Sequence, residues 1–280
     1  MNGSIATVTG LWRYPLKSGR AQPLDEARVL ATGIEADREW MIADASGRFL
    51  SQREEPRLAL LDAAAVDGCL RLSIPGHGRL DARVDPSLPP TRARVWDDDM
   101  QAHDAGDGVA GVLGAWLGRP ARLLRFDPSR PRPCDPRWTG EQAASTAFAD
   151  GFPLLLAGEA SLAELNARLE RPLPMERFRP NLVISGLPPY AEDDIEELRA
   201  GPLVLRPIKP CTRCIITTTD QASGARDGDE PLRTLRGYRY DASLRGVCFG
   251  QNVIVAAGAG TPLRRGQQLE VTWRKAALAG

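Results

Sequence analysis

Proline and glycine interrupt the apolar segments of this chain at short intervals. The 280 residues include 27 glycines and 23 prolines, and the apolar runs between them are short. Because strands usually span about five or six residues and helices about eleven or twelve, such runs favour strands. The sequence therefore predicts a mainly β fold with a few helices, that is, an α+β protein.

The charge balance excludes one class of partner. The chain carries 36 lysines and arginines and 36 aspartates and glutamates, so its formal net charge is zero. Nucleic-acid-binding domains usually carry a basic excess, so we predict no nucleic-acid partner.

The first residues show no basic region followed by an apolar stretch, and no apolar run could span a bilayer. We therefore expect no membrane insertion and a cytoplasmic location.

Local patterns predict two helices. Residues 109–117 carry apolar side chains at helical spacing. Ser161 followed by Glu164 forms a capping box, which predicts the start of a second helix. The buried stripe of that helix is expected to be Leu162, Leu165 and Leu169.

The remaining periodic segments predict strands. A turn at 44–47 predicts a hairpin that returns through 49–50. Residues 127–136 carry four prolines and four charged residues, and we interpret them as a linker. We place a domain boundary at the start of this linker, which divides the chain into two predicted domains, 1–126 and 127–280. Strands are predicted at 5–12, 27–30, 40–43, 58–64, 70–74, 93–96, 181–184, 202–208, 215–219, 247–256 and 269–273.

Two cysteines and an arginine lie close together in 209–214 (KPCTRC), between the predicted strands 202–208 and 215–219. Strand ends hold loops rigidly, and a guanidinium beside a thiol favours the thiolate. The chain has five cysteines, an odd number that argues against a disulfide framework. Cys69 and Cys248 lie in apolar surroundings and are predicted to be buried small side chains.

The Cys-x-x-Cys pattern allows four interpretations. A structural zinc site normally needs four protein ligands, and no second cysteine pair exists here. A thioredoxin-type redox pair needs a helix, which the β-branched residues after Cys214 disfavour. Two structural cysteines in a turn, or one thiolate bound to a metal held mainly by an organic cofactor, also fit. The residues alone leave these interpretations open.

Five motifs occur in order along nearly the whole chain, and together they resemble one family. They are 11–18 (LWRYPLKS), 33–40 (GIEADREW), 178–183 (FRPNLV) followed by 190–193 (YAED), 210–215 (PCTRCI) and 249–252 (FGQN). The chain resembles an MOSC N-terminal β-barrel domain followed by an MOSC β-barrel domain. The resemblance is to the branch of amidoxime-reducing and N-hydroxylated-compound-reducing proteins.

This resemblance implies a molybdenum cofactor, in which a molybdopterin dithiolene binds molybdenum. By position in the family motif, Cys214 would be the metal ligand and the catalytic residue. A phosphate needs charge-assisted donors, and an asparagine amide can pair with a pterin edge. The residues implied to bind the cofactor are Lys17, Ser18, Arg38, Arg179, Asn181, Thr212 and Arg213. Since these come from both halves, we expect the first strand and the Lys17 loop to pack into the second lobe.

The resemblance also implies a function. The expected activity is an oxidoreductase that reduces small N-hydroxylated molecules. The sequence lacks the cysteine cluster of a fused ferredoxin module, so we expect electrons from a separate ferredoxin- or cytochrome-type protein. Glu192 or Asp193 is a candidate proton source. The alternative is a molybdenum cofactor or sulfur carrier that binds without turnover.

Overall fold

The computed structural model describes residues 4–274 and confirms the predicted mainly β fold. Its strands are β1 (Ser4–Arg13), β2 (Gln22–Pro23), β3 (Glu26–Leu30), β4 (Gly33–Ile34), β5 (Trp40–Ala43), β6 (Asp62–Val66), β7 (Cys69–Ile74), β8 (Gly78–Ala82), β9 (Thr91–Val95), β10 (Asp98–Asp104), β11 (Arg122–Phe126), β12 (Arg132–Pro133), β13 (Ser145–Thr146), β14 (Leu154–Gly158), β15 (Leu182–Ser185), β16 (Ile195–Ala200), β17 (Leu203–Thr212), β18 (Tyr240–Asp241), β19 (Gly246–Ala257), β20 (Pro262–Arg264) and β21 (Gln268–Trp273).

The helices are few and short. The α-helices are α1 (Asp107–Leu117), α2 (Pro136–Thr139), α3 (Glu159–Asn166) and α4 (Leu232–Arg236). Single 3₁₀ helices lie at Pro56–Leu60, Met175–Phe178, Ala191–Asp193 and Ile215–Thr218. None of the helices between residues 4 and 274 is long and apolar enough to cross a membrane.

A closed barrel forms the larger sheet. Its strand order is β14-β15-β1-β21-β16-β17-β19, and β19 pairs back with β14. The β14–β15 pair is parallel and the other pairs are antiparallel. β1 therefore lies between strands from the far end of the chain, with Leu11 opposite Leu182 and Ala6 opposite Leu269. These four side chains are buried in the barrel core.

The first half of the chain builds most of the other lobe, which lies beside the barrel. β5, β11, β10 and β9 form a four-stranded antiparallel sheet, and β6, β7 and β8 form a three-stranded one. α1 confirms the helix predicted at 109–117, and its Leu113 and Trp116 are buried in one apolar cluster with Leu70 and Leu72. The structure thus places two cores side by side.

Three sequence predictions about elements need correction, and the first concerns 58–64. The chain forms a 3₁₀ helix at Pro56–Leu60 and enters β6 only at Asp62. Pro56 at the start of that helix explains the difference. Its fixed φ suits a first helical turn, and the N–H that proline lacks would have had no partner within the helix.

The capping box at Ser161 is also wrong. α3 begins earlier, with Gly158 as its N-cap, and Ser161 is buried inside the first turn. The Ser161 hydroxyl donates to Glu192 Oε2 at 2.7 Å, and Glu192 Oε1 accepts from the Gly158 N–H at 3.1 Å. The Glu192 carboxylate, which comes from a turn distant in sequence, therefore accepts a hydrogen bond from the backbone N–H at the start of α3. The apolar stripe is confirmed in part: Leu165 is buried and Leu162 packs against the same cluster, whereas Leu169 packs there from beyond the end of α3 at Asn166.

Residues 127–136 are anchored rather than loose. The buried Arg132 donates to the carbonyls of Ala149 and Asp150 at 2.5 and 2.8 Å, and it pairs with Asp98 at 2.6 Å. This segment therefore fixes the backbone of 149–150, which borders the site described next. The boundary at residue 126 remains a prediction.

Candidate functional site

All the residues predicted to bind the cofactor and its metal line one cavity of about 140 Å³ between the two lobes. Lys17, Ser18 and Arg38 come from the loops that follow β1 and β4. Arg179 and Asn181 come from the segment before β15. The end of β17 and the residues just after it supply Thr212, Arg213 and Cys214.

The backbone after Cys214 differs from the predicted strand at 215–219. Cys214 is the N-cap of the 3₁₀ helix Ile215–Thr218. The hydroxyls of Thr217 and Thr218 each donate to the carbonyl three residues earlier, at 2.9 Å. Threonine hydroxyls that bond back in this way compete with strand pairing, which explains why β-branched residues form a helical turn here.

The two sulfurs of the Cys-x-x-Cys pattern have different partners. Arg213 Nη1 donates to Cys211 Sγ at 2.8 Å, whereas Arg53 Nη2 donates to Cys214 Sγ at 3.2 Å. Both thiols are free, and Cys211 lies on β17, so no helix begins at the first cysteine. This geometry does not match a thioredoxin-type pair.

A protein-only zinc site also lacks ligands. Within residues 4–274, no group of three His, Cys, Asp or Glu side chains is placed to hold a metal ion. Cys69 and Cys248 are buried, as predicted, and burial raises the pKa of Cys248 to about 11. Cys214 is therefore one of two thiols that line the cavity, and the other, Cys211, accepts a hydrogen bond from Arg213.

The cavity carries an excess of positive charge. Five cationic side chains line it: Lys17, Arg38, Arg53, Arg179 and Arg213. Among the described residues Asp150 is the one carboxylate in the lining, and Asp37 pairs with Arg38 from behind. Five cations against two carboxylates make the cavity suited to a polyanion.

Lys17 is the most deeply buried of these cations. Its ammonium donates to Asp150 Oδ1 at 2.6 Å and to the Phe148 carbonyl at 2.8 Å. Burial lowers the pKa of Lys17 to about 8, although Asp150 opposes that change. An additional anion beside the ammonium would favour its charged form.

A tyrosine orients two of the arginines. The Tyr14 ring lies between the guanidiniums of Arg38 and Arg179, which are 4.2 and 4.3 Å from its centroid. The Tyr14 hydroxyl donates to the Pro180 carbonyl at 3.1 Å. Burial lowers the pKa of Arg179 to about 10, and the positive charge of the nearby Arg38 acts in the same direction.

Asn181 acts on its neighbours. Its Oδ1 accepts from Arg38 Nη1 at 2.9 Å and from the Leu155 N–H at 3.2 Å, and its Nδ2 donates to the Trp12 carbonyl at 3.2 Å. These bonds use the Oδ1 acceptor and one of the two Nδ2 hydrogens, and they hold Arg38 in place. Binding of a cofactor by the Asn181 amide remains a prediction.

Backbone strain is concentrated at this cavity. Ser18, Arg38 and Arg179 have positive φ angles of 66°, 49° and 55°. Such conformations cost about 1–3 kcal/mol in non-glycine residues and persist where the surroundings enforce them, often at functional sites. Three strained residues around one cavity therefore indicate a built binding site.

The donor groups that line the cavity suit a phosphate-bearing, metal-carrying organic cofactor. The buried Arg213 Nε has no hydrogen-bond partner among the described residues, so a donor is left for a bound group. The charge excess suits a phosphate and a dithiolene, and the single Cys214 sulfur suits a metal whose other donors come from the cofactor. The molybdenum cofactor implied by the motifs therefore agrees with the donor set.

Sequence reasoning missed three residues of this site and misplaced two. Arg53 contacts Cys214, Asp150 pairs with Lys17, and Tyr14 lies between two arginines, although Tyr14 was inside the quoted motif 11–18. Glu192 and Asp193, the candidate proton sources, do not line the cavity. Glu192 is buried in the cap of α3, and Asp193 pairs with Arg239 and accepts from Gln251.

Comparisons with known protein families match both halves of the chain. A family model described as the MOSC N-terminal beta barrel domain matches residues 5–120. A model described as the MOSC domain matches residues 143–270.

Several characterised proteins are similar over most of their length. Mitochondrial amidoxime-reducing component 1 of Homo sapiens is 36% identical over 269 residues, which cover 90% of this chain and 79% of that protein. The same component of Mus musculus is 36% identical, with 88% and 75% covered. Mitochondrial amidoxime reducing component 2 of Homo sapiens is 34% identical, with 93% and 84% covered.

Proposed function

This chain belongs to the MOSC family, with an MOSC N-terminal beta barrel domain before an MOSC domain, and on that premise we propose that it is a molybdenum-cofactor-dependent reductase of small N-hydroxylated molecules. The observation that carries the proposal is the position of Cys214. Its sulfur lines a cavity whose walls carry five cationic side chains and, among the described residues, one carboxylate, that of Asp150. Similarity to amidoxime-reducing components supports the substrate class.

The side chains divide into three tasks. Cys214 would hold the metal, while Lys17, Arg179 and Arg213 would neutralise the cofactor phosphate and dithiolene. Ser18 and Thr212 line the cavity with hydroxyl groups that can bind the pterin. Asn181 orients Arg38, and Asp150 holds the Lys17 ammonium in place. When bound, the cofactor would supply the two-electron reduction that cleaves an N–O bond.

A reductase of this kind also needs a source of electrons. We propose a separate electron-transfer protein, of the ferredoxin or cytochrome type, as the donor.

Burial of the cationic residues between the lobes excludes water from the cofactor side, which strengthens their interaction with an anion.

The direct test is substitution of the metal ligand. The Cys214→Ser variant and the wild type are made in a cofactor-competent host and analysed for molybdenum, then assayed for benzamidoxime reduction with a reduced viologen dye. We expect near-stoichiometric molybdenum in the wild type. In the variant we expect turnover to fall by at least about a hundredfold, because loss of a mere hydrogen-bond partner of a metal ligand already lowers activity by about 10–100-fold. The far-ultraviolet circular dichroism should stay unchanged.

Cys211→Ser is the matched control, because Cys211 lines the same cavity but is paired with Arg213. It should keep most of the turnover and its molybdenum. Full benzamidoxime reduction by Cys214→Ser contradicts the proposal. Cofactor transfer from the wild type to an apo-enzyme, without any reduction of N-hydroxylated compounds, identifies a carrier instead.

A further inference from the structure

An exposed tryptophan lies at the rim of the cavity in an unusual backbone conformation. Trp96 and Asp97 form the two-residue turn between β9 and β10, where Val95 pairs with Asp98. Trp96 is 40% exposed and has a positive φ of 56°. In hairpin turns of this length a positive φ is usually taken by glycine or asparagine. A bulky aromatic residue at this position is strained, so its contacts must hold it there.

Those contacts connect the indole ring to the cavity from two sides. The Arg53 guanidinium lies 4.3 Å from the ring centroid, and the same guanidinium donates to Cys214 Sγ. The indole Nε1 donates to Asp150 Oδ1 at 3.3 Å, and Asp150 pairs with Lys17. The edge of the ring also packs against Phe49, with centroids 4.9 Å apart. Trp96 is thus positioned by the same side chains that surround the candidate metal ligand.

A groove adjoins the cavity at this rim. It has a volume of about 770 Å³ and is lined by Trp96 and by the segment 150–152. That segment also lines the cavity, so the two spaces share a wall formed by Asp150, Gly151 and Phe152. Pockets for small molecules usually measure about 300–1,000 Å³, so the groove has the size of a ligand site. Its lining includes two aromatic rings, Trp96 and Phe152, among mainly polar and charged side chains.

We propose that this groove is a substrate subsite and that Trp96 is a specificity-determining residue. The planar body of an aromatic N-hydroxylated molecule packs against the Trp96 ring, and its N–O group extends past the shared wall into the cavity. Offset or edge contacts between aromatic rings supply the preference for a planar body. The proposal rests on the proposed function for its reaction, but the binding site is defined by residues outside the cofactor-binding set.

The test compares two substrates of different size. Benzamidoxime has an aromatic body, whereas hydroxylamine has only the reacting group. In the holoenzyme, Trp96→Leu should lower the ratio of kcat/KM for benzamidoxime to kcat/KM for hydroxylamine about tenfold, which corresponds to about 1.4 kcal/mol. The loss should appear mainly in KM for benzamidoxime, and Trp96→Phe should recover part of it.

A second variant tests the groove without changing the strained turn. Thr139 lines the groove but not the cavity, so Thr139→Trp should fill it and lower the same ratio. Trp273→Phe is the control, because Trp273 lies on β21, where its indole Nε1 donates to Ser4 Oγ at 3.1 Å, and it lines neither the groove nor the cavity. It should leave the ratio within about twofold of the wild type.

Calorimetric titration with benzamidine separates this inference from the proposed function. Benzamidine has the planar body without the N–O bond, and its binding to the holoenzyme should weaken severalfold in Trp96→Leu and Thr139→Trp. Unchanged benzamidine binding and an unchanged kcat/KM ratio in both variants overturn the subsite. If the wild type reduces neither substrate but binds benzamidine in a Trp96-dependent manner, the reaction is wrong and the subsite stands.

Discussion

Single aromatic and polar residues position the charged groups of this site. The Tyr14 ring is buried between two guanidiniums that would otherwise repel each other at close range. Its backbone N–H donates to Asp37 Oδ1 at 2.7 Å, and Asp37 in turn pairs with Arg38. One residue therefore fixes the arginines from both lobes in a single stack.

Replacement of Tyr14 should separate its two roles. Tyr14→Phe loses only the hydroxyl bond to the Pro180 carbonyl, so we expect about 1 kcal/mol lower stability. Tyr14→Leu also loses two buried cation–π contacts and ring volume, and should cost about 3–4 kcal/mol. Urea unfolding measures both values. Tyr240→Leu, at a half-exposed tyrosine, should change stability by less than about 0.5 kcal/mol. Equal costs for the Phe and Leu variants contradict the stacking role.

At the residue level, the sequence predicted most of the cationic residues that line the cavity but not the residues that hold Cys214 and these cations in place. The motifs named Lys17, Arg38, Arg179 and Arg213, and the structure brings all four to one cavity. Arg53 was missed because it lies in a charged loop whose sequence carries no local signal. Its importance comes from contacts with Cys214 and Trp96, which are separated from it by long stretches of chain. Such contacts depend on tertiary structure and leave no trace in local sequence patterns.

At the level of elements, the turn after Cys214 is held by a cross-link that the sequence did not reveal. Arg226 Nη1 donates to the Ile215 carbonyl and, at 3.0 Å, to Thr219 Oγ1. Arg226 Nη2 donates to the carbonyls of Gln52 and Arg53 at 2.9 Å each. One guanidinium thus joins the 3₁₀ helix of the barrel lobe to the loop that carries Arg53. These bonds act together with the back-bonded hydroxyls of Thr217 and Thr218, which favour a helical turn over the strand predicted at 215–219.

Lysine cannot reproduce this four-acceptor pattern, since its ammonium lacks the planar fork of a guanidinium. In Arg226→Lys we expect the amides of Thr217 and Thr219 to exchange with solvent about tenfold faster, as local opening becomes easier by about 1.4 kcal/mol. Hydrogen exchange followed by mass spectrometry measures this change.

Arg92→Lys serves as the control for that experiment. The exposed Arg92 on β9 pairs with Asp99 on the neighbouring strand β10, in a sheet that does not include 215–219. It should leave the exchange of 215–219 unaltered. Unchanged exchange in Arg226→Lys means that the 3₁₀ helix is stable without the cross-link.

At the level of the whole molecule, local patterns predicted the class of fold but not its closure. Short apolar runs correctly indicated a mainly β protein. The position of β1 between β15 and β21 depends on pairing with residues more than 170 positions away, such as Thr7 with Ser185. No local pattern encodes such pairing. The expectation came instead from the requirement that Lys17 and Cys214 reach one cofactor.

The charge excess between the lobes leads to a prediction about cofactor binding. The empty-cavity form contains mutually repelling cations, and a bound polyanion would relieve that repulsion and stabilise the native state. Protein from a cofactor-competent host should therefore melt on the order of 10 °C above protein from a host that lacks cofactor synthesis. Arg213→Gln should reduce this gap by about 5 °C, because it removes charge-assisted donors to the cofactor.

Arg213→Gln also has a distinctive effect on the cofactor-free protein. It loses the bonds to the Phe178 carbonyl and to Cys211 Sγ but removes one of five crowded cations, so the two effects oppose each other. We expect the melting temperature of the cofactor-free form to change by no more than about 3 °C. Arg71→Gln, at an exposed pair with Asp81, should leave the gap unchanged. A gap of equal size in the wild type and Arg213→Gln would show that this guanidinium does not contact the cofactor, because only a group that interacts with the bound state can change the stability gained on binding.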